Sequence, residues 1–211
     1  YEYTIVNSKF VKSKINQYFK KFKSKLIVLP FLPFEQNENL VKIDKNILKK
    51  YNIRKKFFII SNKFWKHKNH IVAFEAFKKL NKHNPNYILV CTGETYDSRF
   101  PDHFKKLKEK FKNLIDNNYI KILGEVPKND QINLLRKSEA LIQPTLYEGG
   151  PGGFAAYESI VTGKTIILSN IRINKEINIG SKIFFKAKNS HDLYLKIRKI
   201  IKKKNKVINL N

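Results

Sequence analysis

The chain has 211 residues, of which 42% are hydrophobic and one is a cysteine. This length suffices for one domain with a buried core and an appendage. The single cysteine, Cys91, excludes a disulfide framework, and no apolar run is long enough to span a bilayer.

The net charge of +26 raises the question of a nucleic-acid partner. Only five of the 43 basic residues are arginine, and the lysines are spread along nearly every polar segment. Nucleic-acid binders usually concentrate arginine, because its planar fork pairs with phosphates and bases. We therefore expect no nucleic-acid partner and interpret the charge as compositional drift. A peripheral contact with an anionic membrane, or an anionic substrate, is the alternative.

The first residues, "YEYTIVNS", have neither the basic leader nor the apolar stretch of a secretory signal, and no methionine precedes them. We expect the chain to be a piece of a longer protein whose N-terminal part is missing. A lone cysteine fits a reducing cytoplasm. We therefore predict a cytoplasmic protein, with the inner face of the membrane as an alternative location.

The first 54 residues predict a short β-α-β unit and a polar linker. Residues 4–6 are typical of the end of a strand, helical spacing begins after Ser8, and "KLIVLP" predicts a strand that stops at Pro30. The apolar positions of the predicted helix are Val11, Ile15, Tyr18, Phe19 and Phe22. Residues 31–54 are rich in Asn and Lys and predict a linker with one short helix near "DKNILKKY".

Strands and helices alternate from Phe57 onward. Six apolar runs predict strands: "FFIIS", "YILVCTG", "IKILG", "ALIQP", "TIILS" and "KIFF". Amphipathic segments predict the helices, among them one helix over "DHFKKLKEKFKNLIDN" and a final one capped by a serine. The helix at "KNHIVAFEAFKKLNKH" has a predicted buried face of Ile71, Phe74, Phe77 and Leu80. This pattern predicts an α/β fold with a six-stranded, doubly wound parallel sheet over residues 57–200.

Ligands of such sheets bind at the carboxyl ends of the strands. The loop "SNKFWKHKNH", residues 61–70, follows a predicted strand and places Lys63 and Lys68 at this edge, where ammonium groups can bind phosphate. A solvated loop in a lysine-rich chain is the alternative. No carboxylate or thiolate lies near His67 and His70 in the sequence, so we expect no metal site there.

The stretch "LYEGGPGGFAAYES", residues 146–159, contains four of the eight glycines between two carboxylates. It follows a predicted strand and leads into a helix from Gly153, so its backbone N–H groups can bind an anion. Glu158 lies in the second turn, where it can accept hydrogen bonds from hydroxyl groups, and Glu148 lies across the loop. A glycine linker with the acids as caps is the alternative. If the loop binds a ligand, Gly153→Val should damage diphosphate binding far more than folding.

Two segments resemble a known family. "FIISNKFWKHKNHIVAFEAFKKL" and "IKILGEVPKNDQINLLRKSEALIQPTLYEGGPGGFAAYESIVTGKTIILSNIRINKEI" are similar to the C-terminal donor-binding domain of group 1 (family 4) glycosyltransferases, which have the GT-B fold. The resemblance covers residues 57 to about 200 and is weaker over "VNSKFVKSKINQYFKKFKSKLIVLPF". It implies a Rossmann-like half of a GT-B fold at residues 55–211. Residues 1–54 would then be a remnant of the N-terminal domain and the interdomain linker.

The resemblance implies a retaining glycosyltransferase that transfers a hexosyl unit from a UDP- or GDP-sugar to a glycan or lipid-linked acceptor. The acceptor would bind through the missing N-terminal domain, so we expect this chain to bind the donor and to be inactive alone. The resemblance implies no metal or other cofactor, and the sequence contains no Asp-x-Asp motif. A non-catalytic module that binds nucleotides or other polyanions and a sugar-nucleotide epimerase of GT-B fold are the alternatives.

The resemblance also implies roles for individual residues. Glu148 matches the first acid of the family's E-x7-E motif, which faces the transferred sugar, and is the catalytic candidate. Glu158 matches the second acid, which binds the ribose hydroxyls. Lys68 matches the lysine that neutralises the diphosphate, and Val126 lies where the backbone frames the nucleobase. The donor-binding candidates of the glycine loop are Gly149, Gly150, Gly152, Gly153, Phe154 and Ala155.

The sequence departs from the family pattern in three places. Nine residues rather than seven separate Glu148 and Glu158, so the loop is expanded by two residues. Lys63, a further donor-binding candidate, replaces a usual arginine and loses bidentate phosphate geometry. Asn170 replaces an aspartate that is often present in the family.

Overall fold

The first thirty residues form a small β-α-β unit. In the computed structural model, which describes residues 1–30 and 42–208, strands β1 (Tyr3–Val6) and β2 (Lys25–Val28) pair in parallel and helix α1 (Lys9–Tyr18) connects them. The helix is shorter than its apolar pattern predicts: it ends at Tyr18, and Phe19 and Phe22 lie beyond its end and are exposed. Residues 31–41 of the predicted linker lie outside the described residues.

Helix α1 begins at an N-cap that the sequence encodes in part. The Ser8 hydroxyl accepts the N–H of Val11 at 3.0 Å, as a serine N-cap does. The carboxylate of Glu176, distant in sequence, accepts the N–H groups of Lys9 and Phe10, both at 2.7 Å. These bonds satisfy N–H groups that a helix start leaves without intrahelical acceptors, and they attach α1 to the larger part of the molecule.

Six parallel strands form the main sheet, in the order β5-β4-β3-β6-β7-β8. Their bounds are β3 (Lys56–Ser61), β4 (Tyr87–Thr92), β5 (Ile120–Gly124), β6 (Leu141–Gln143), β7 (Ile166–Ser169) and β8 (Lys182–Phe185). The predicted six-stranded parallel sheet is therefore confirmed.

Helices and 3-10 turns connect these strands. The helices are α2 (Ile47–Lys50), α3 (His70–Asn81), α4 (His103–Lys110), α5 (Lys112–Asp116), α6 (Lys128–Lys137), α7 (Gly153–Val161) and α8 (Ser190–Ile208). The 3-10 turns are Lys66–Lys68 and Ile173–Glu176. None of the helices in the described ranges is both long and apolar enough to cross a membrane.

Both faces of the sheet are covered, as a doubly wound fold requires. Successive side chains of a strand point to opposite faces. Phe58 and Ile60 of β3 belong to a core cluster with α3, α4, α5 and α8, whereas Phe57 and Ile59 belong to a second cluster with α2, α6 and α7. All four of these side chains are at most 1% exposed.

Three local predictions about the helices are wrong. Ile71 is 38% exposed, because α3 packs against both the sheet and α8 and turns Val72 and Ala76 inward instead. The helix predicted after Asp102 is divided into α4 and α5 at Phe111. The N-cap of α8 is Asn189 rather than a serine, since its side-chain oxygen accepts the N–H of Asp192 at 2.9 Å.

The strand order places one switch point in the sheet. The chain proceeds outward from β3 through β4 to β5 and then returns to the other side of β3 with β6. The connections that leave β3 and β6 therefore diverge at the carboxyl edge and open a crevice, which is where doubly wound sheets bind ligands. These two connections contain residues 61–70, which we call the lysine loop, and residues 146–159, which we call the glycine loop.

Candidate functional site

The two loops at the switch point are bonded to each other. The N–H of Leu146 donates to the carbonyl of His67 at 2.8 Å, and the side-chain amide of Asn69 donates to the carbonyl of Pro144 at 3.1 Å. Asn69 is buried and adopts a left-handed conformation with φ of 56°, which ends the 3-10 turn and starts α3. The position of Lys68 relative to the glycine loop is thereby fixed.

Lys68 and Glu148 form an ion pair between these loops. The distance from Lys68 Nζ to Glu148 Oε1 is 2.6 Å, and the two side chains are 13% and 7% exposed. A charge pair at this depth has lost much of its hydration, so each charge depends on the other. The structure thus brings together the lysine predicted to bind phosphate and the acid predicted to be catalytic.

Gly152 and Gly153 shape the start of α7. Both adopt positive φ angles, of 69° and 67°. A Cβ atom on Gly152 would lie 2.3 Å from Ile177 Cδ1, and one on Gly153 would lie 3.3 Å from Glu148 Oε2. A side chain at Gly152 would therefore clash with Ile177, and one at Gly153 would crowd the Glu148 carboxylate of the ion pair. N–H groups of the first helical turn have no acceptor within the helix, which makes this turn a candidate anion site.

Two buried amide side chains hold Gly152 in place. Gln143 Nε2 donates to the Gly152 carbonyl at 2.8 Å, and Asn174 Oδ1 accepts the Gly152 N–H at 3.1 Å. Asn62 donates in turn to Gln143 Oε1 at 2.5 Å, and Asn174 donates to the carbonyl of Ser169 at 3.0 Å. Because the Gly152 N–H is occupied by Asn174, the amides that remain for a ligand are those after Gly152.

Gln143 and Asn174 are not among the site residues predicted from the sequence. Gln143 is the last residue of β6, and it is a polar residue at the end of an apolar run. A polar residue at the carboxyl end of a strand is the sequence feature that marks Gln143 as a candidate site residue. Asn174 lies in a 3-10 turn after β7 and is fully buried, and nothing in the local sequence marks it.

The other loop residues differ in accessibility. Gly149 is exposed and its carbonyl accepts a hydrogen bond from Asn7 at 2.8 Å, whereas Gly150 is buried. Phe154 is 68% exposed and Ala155 is 6% exposed. The loop thus has a closed side formed by small residues and an open side at Phe154.

Glu158 lies between α7 and α6, away from the Lys68–Glu148 pair. Its carboxylate pairs with Lys128 and accepts a hydrogen bond from Gln131 at 2.9 Å. The side chain is 11% exposed. Val126 is partly buried and precedes Lys128 by two residues, in the connection from β5 to α6. The two residues assigned to the nucleoside therefore lie at neighbouring elements on one side of the crevice.

Lys63 contacts the connection after β4. Its ammonium group forms a 2.7 Å ion pair with Glu94 and lies 5.2 Å from the centre of the Trp65 ring. The hydrogen bond with Glu94 raises the pKa of Lys63, so the side chain is cationic at neutral pH. About half of the side chain is exposed. Lys63 is therefore near the carboxyl edge but is paired with a residue outside the glycine loop.

Burial favours the neutral forms of the two histidines of the lysine loop and of Cys91. Burial lowers the pKa of His67, and full burial lowers the pKa of His70 to about 3. Burial also raises the pKa of the Cys91 thiol. Within residues 1–30 and 42–208, no three His, Cys, Asp or Glu side chains are grouped so that they could hold a metal ion.

The fold and the carboxyl-edge crevice define a Rossmann-like α/β domain. A family model described as "Glycosyl transferases group 1" matches residues 43–210. The chain belongs to this family, and its fold is that of the C-terminal domain of GT-B glycosyltransferases, as the sequence predicts. No curated protein sequence matches the chain.

Solved structures share the fold at low sequence identity. A glycosyltransferase from Rickettsia africae ESF-5 superposes with a TM-score of 0.75 and 23% identity, over 94% of this chain and 52% of that one. Anabaena Alr3699/HepE in complex with UDP and glucose gives a TM-score of 0.76 and 17% identity, over 97% and 55% of the two chains.

A separately solved domain gives a further comparison. The C-terminal domain of the group 1 family protein LpcC from Francisella tularensis gives a TM-score of 0.63 and 20% identity, over 78% and 86% of the two chains. By contrast, the chain spans about half the length of the Rickettsia and Anabaena proteins.

Proposed function

We propose that residues 55–211 are the donor-binding half of a retaining glycosyltransferase that uses a nucleotide sugar. The enzyme transfers a hexosyl unit to a glycan or a lipid-linked acceptor, and residues 1–54 belong to the acceptor half and the linker between the halves. The proposal is supported chiefly by the Lys68–Glu148 ion pair beside Gly153, at the switch point of a group 1 sheet. We place the reaction in the cytoplasm.

The proposed chemistry depends on stabilising the leaving group. As the glycosidic bond breaks, negative charge develops on a nucleoside diphosphate. Lys68 and the first-turn N–H groups of α7 are fixed before the reaction begins, so they can stabilise that charge without reorganising. Lys63 is half exposed and can turn from Glu94 towards the diphosphate. In this proposal these groups neutralise the diphosphate without a metal ion.

Glu148 and Glu158 have different roles in this proposal. Glu148 is close to both Lys68 and the start of α7, so a sugar attached to the bound diphosphate would meet its carboxylate. Glu158 is held by Lys128 and Gln131 on the side of Val126, where its remaining lone pairs can accept the ribose hydroxyls. The nucleoside then lies towards α6 and the sugar towards the lysine loop.

UDP is the first nucleotide to test. The Anabaena HepE structure contains UDP and glucose, and a structurally similar trehalose-phosphate synthase from Burkholderia vietnamiensis, at 11% identity and a TM-score of 0.74, is described as UDP-forming. In this proposal the 211-residue chain binds UDP. Binding of GDP as well would show that the nucleobase site accepts both uracil and guanine. Because the chain provides one wall of a two-domain cleft, it transfers no sugar alone.

Calorimetric titration of the chain with UDP and with GDP tests the proposal. Glu158→Gln should weaken binding by about 1–3 kcal/mol, the range for losing a hydrogen bond to a charged group. Glu109→Gln, which makes the same change at an exposed acid on α4, is the matched control and should bind like the parent. EDTA should change neither result. A folded chain that gives no binding heat with either nucleotide would contradict the proposal.

A further inference from the structure

A second basic pocket lies at the carboxyl edge, outside the crevice at the switch point. It has a volume of about 340 Å³ and lies between the 3-10 turn Lys66–Lys68 and the connection from β4 to α4. Its lining includes Lys66, Arg99, Phe100, Asp102, His103 and Lys106. We call it the Arg99 pocket.

A buried carboxylate holds Arg99 in position. Asp97 is 2% exposed and accepts the Arg99 Nε–H at 3.1 Å, the Arg99 backbone N–H at 3.2 Å and the Lys66 backbone N–H at 3.0 Å. The guanidinium carbon lies 5.0 Å from the centre of the Trp65 ring. No acceptor for the terminal amino groups of Arg99 lies among the residues that the structure describes. Their fork is therefore oriented in advance and open to a ligand.

Lys66 and Lys68 leave the same 3-10 turn in different directions. Lys68 Nζ reaches Glu148, whereas Lys66 Nζ lies 4.1 Å from the centre of the Phe100 ring. The Arg99 pocket is thus adjacent to the proposed donor site but uses other side chains. One short turn supplies a cation to each of the two sites.

The charges of the Arg99 pocket suit an anion. Lys66, Arg99 and Lys106 contribute three positive charges and Asp102 one negative charge. His103 adds none at neutral pH, because burial lowers its pKa. The Asp97 carboxylate lies beneath the pocket and pairs with Arg99, so it offsets one of the three positive charges and the pocket with its support has a net charge of about +1.

We propose that the Arg99 pocket binds a phosphate group carried by the acceptor substrate. The assignment to the acceptor rests on the proposed function, since transfer brings donor and acceptor to the same edge of the sheet. A phosphate group suits a lining with three cations, among them a guanidinium fork that Asp97 and Trp65 orient. The pocket would orient a phosphorylated acceptor beside the sugar bound near Glu148.

Amide NMR of the 211-residue chain saturated with UDP tests this proposal. Inorganic phosphate and acetate are titrated separately, which distinguishes a phosphate from a carboxylate group. We expect phosphate to shift the amides of residues 97–106 with UDP still bound, and acetate to bind more weakly. Lys66→Ala/Lys106→Ala should weaken phosphate binding about ten-fold, and Arg99→Ala by a similar factor. Lys79→Ala/Lys82→Ala, in the groove between α3 and α8, removes the same charge and should have no effect.

The outcomes separate this proposal from the proposed function. If UDP binds but phosphate shifts lysine-rich surfaces equally, or the control variant loses as much affinity, the Arg99 pocket is not a phosphate site. Acetate binding as tightly as phosphate also overturns it. If phosphate binds in the pocket but UDP does not bind the chain, the proposed function fails and the assignment to an acceptor fails with it.

Discussion

Two neighbouring glycines, Gly152 and Gly153, have left-handed backbones that bring the start of α7 against buried side chains. The expectation that Gly153→Val harms binding far more than folding stays a prediction, but the geometry shows that the substitution also has a cost to folding. A β-branched residue with a φ of 67° is strained, and its Cβ would lie within 3.3 Å of Gln143 and Glu148. Both the access of a ligand and the local backbone conformation depend on having glycine at position 153.

Gly152→Ala should therefore destabilise the chain by more than about 2 kcal/mol, from left-handed strain and from the contact with Ile177. Gly149→Ala is the matched control, because no heavy atom lies within 4 Å of its added Cβ. It should change stability by less than about 0.5 kcal/mol. Urea unfolding of both variants measures the difference, and equal losses would show that the loop tolerates side chains throughout.

The Lys68–Glu148 pair leads to a second prediction. Lys68→Met leaves a carboxylate that is 7% exposed without its partner, and should cost about 3–5 kcal/mol of unfolding free energy. Lys68→Met/Glu148→Gln removes both charges and should recover most of that loss. Urea unfolding of the wild type, both single variants and the double variant gives the coupling free energy. Additive losses would mean that the pair is solvated and does not hold the loops together.

At the scale of whole elements, the sequence predicted the sheet better than the helices. The inner strands β3, β4, β6 and β7 are mostly apolar runs, and burial on both faces requires that pattern. The buried face of helix α3 differs from the predicted one because α3 also packs against α8, which is distant in sequence. The N-terminal cap supplied by Glu176 to α1 could not be predicted for the same reason, since 166 residues separate Glu176 from Phe10.

Glu176→Ala tests this long-range cap. Loss of two hydrogen bonds to a charged acceptor should favour local opening of α1 by about 1.5–3 kcal/mol. Hydrogen exchange should then quicken about 10- to 100-fold in α1 while the main sheet stays protected. Glu109→Ala, an exposed acid on α4, is the control. Unchanged exchange in α1 would mean that Ser8 alone is a sufficient cap.

For the molecule as a whole, burial makes stability depend on pH. His70 is fully buried, stacks on Phe64 with ring centres 4.1 Å apart, and has no hydrogen-bond partner for either ring nitrogen among the described residues. Burial, with smaller contributions from His103 and Lys68, lowers its pKa from 6.5 to about 3. Between these values the unfolded chain binds a proton that the folded chain does not bind, so stability falls as the pH falls below about 6.5.

We expect His70→Phe to flatten the loss of stability between pH 6.5 and about pH 4. The contribution of His70 to the slope approaches about 1.4 kcal/mol per pH unit. His83→Ala, which removes an exposed histidine, should leave the slope unchanged. Urea unfolding at a series of pH values measures both. A parent slope that persists in His70→Phe would assign the acid sensitivity to other groups.

The sequence singled out those candidate-site residues that lie in an unusual loop directly after a strand. It did not single out the residues that support these loops from distant parts of the chain. Lys68 and Glu148 stood out because each follows a strand and lies in an unusual loop. Gln143 and Asn174 act by holding the backbone of Gly152 from other strands and turns. A single Asn or Gln side chain belongs to no recognisable sequence motif. Its role in holding a backbone segment can be identified only from the folded structure.

The hydrogen bond from Asn7 to the Gly149 carbonyl gives the first thirty residues a direct hold on the glycine loop. Glu176 attaches the start of α1 to the turn that also contains Asn174, the residue bonded to Gly152. The β-α-β unit therefore contacts both the glycine loop and the turn that supports it. A rigid-body rotation of the β-α-β unit would displace both the Gly149 carbonyl and the turn that contains Glu176. The backbone conformation around Gly152 would therefore change with the angle between this unit and the main sheet.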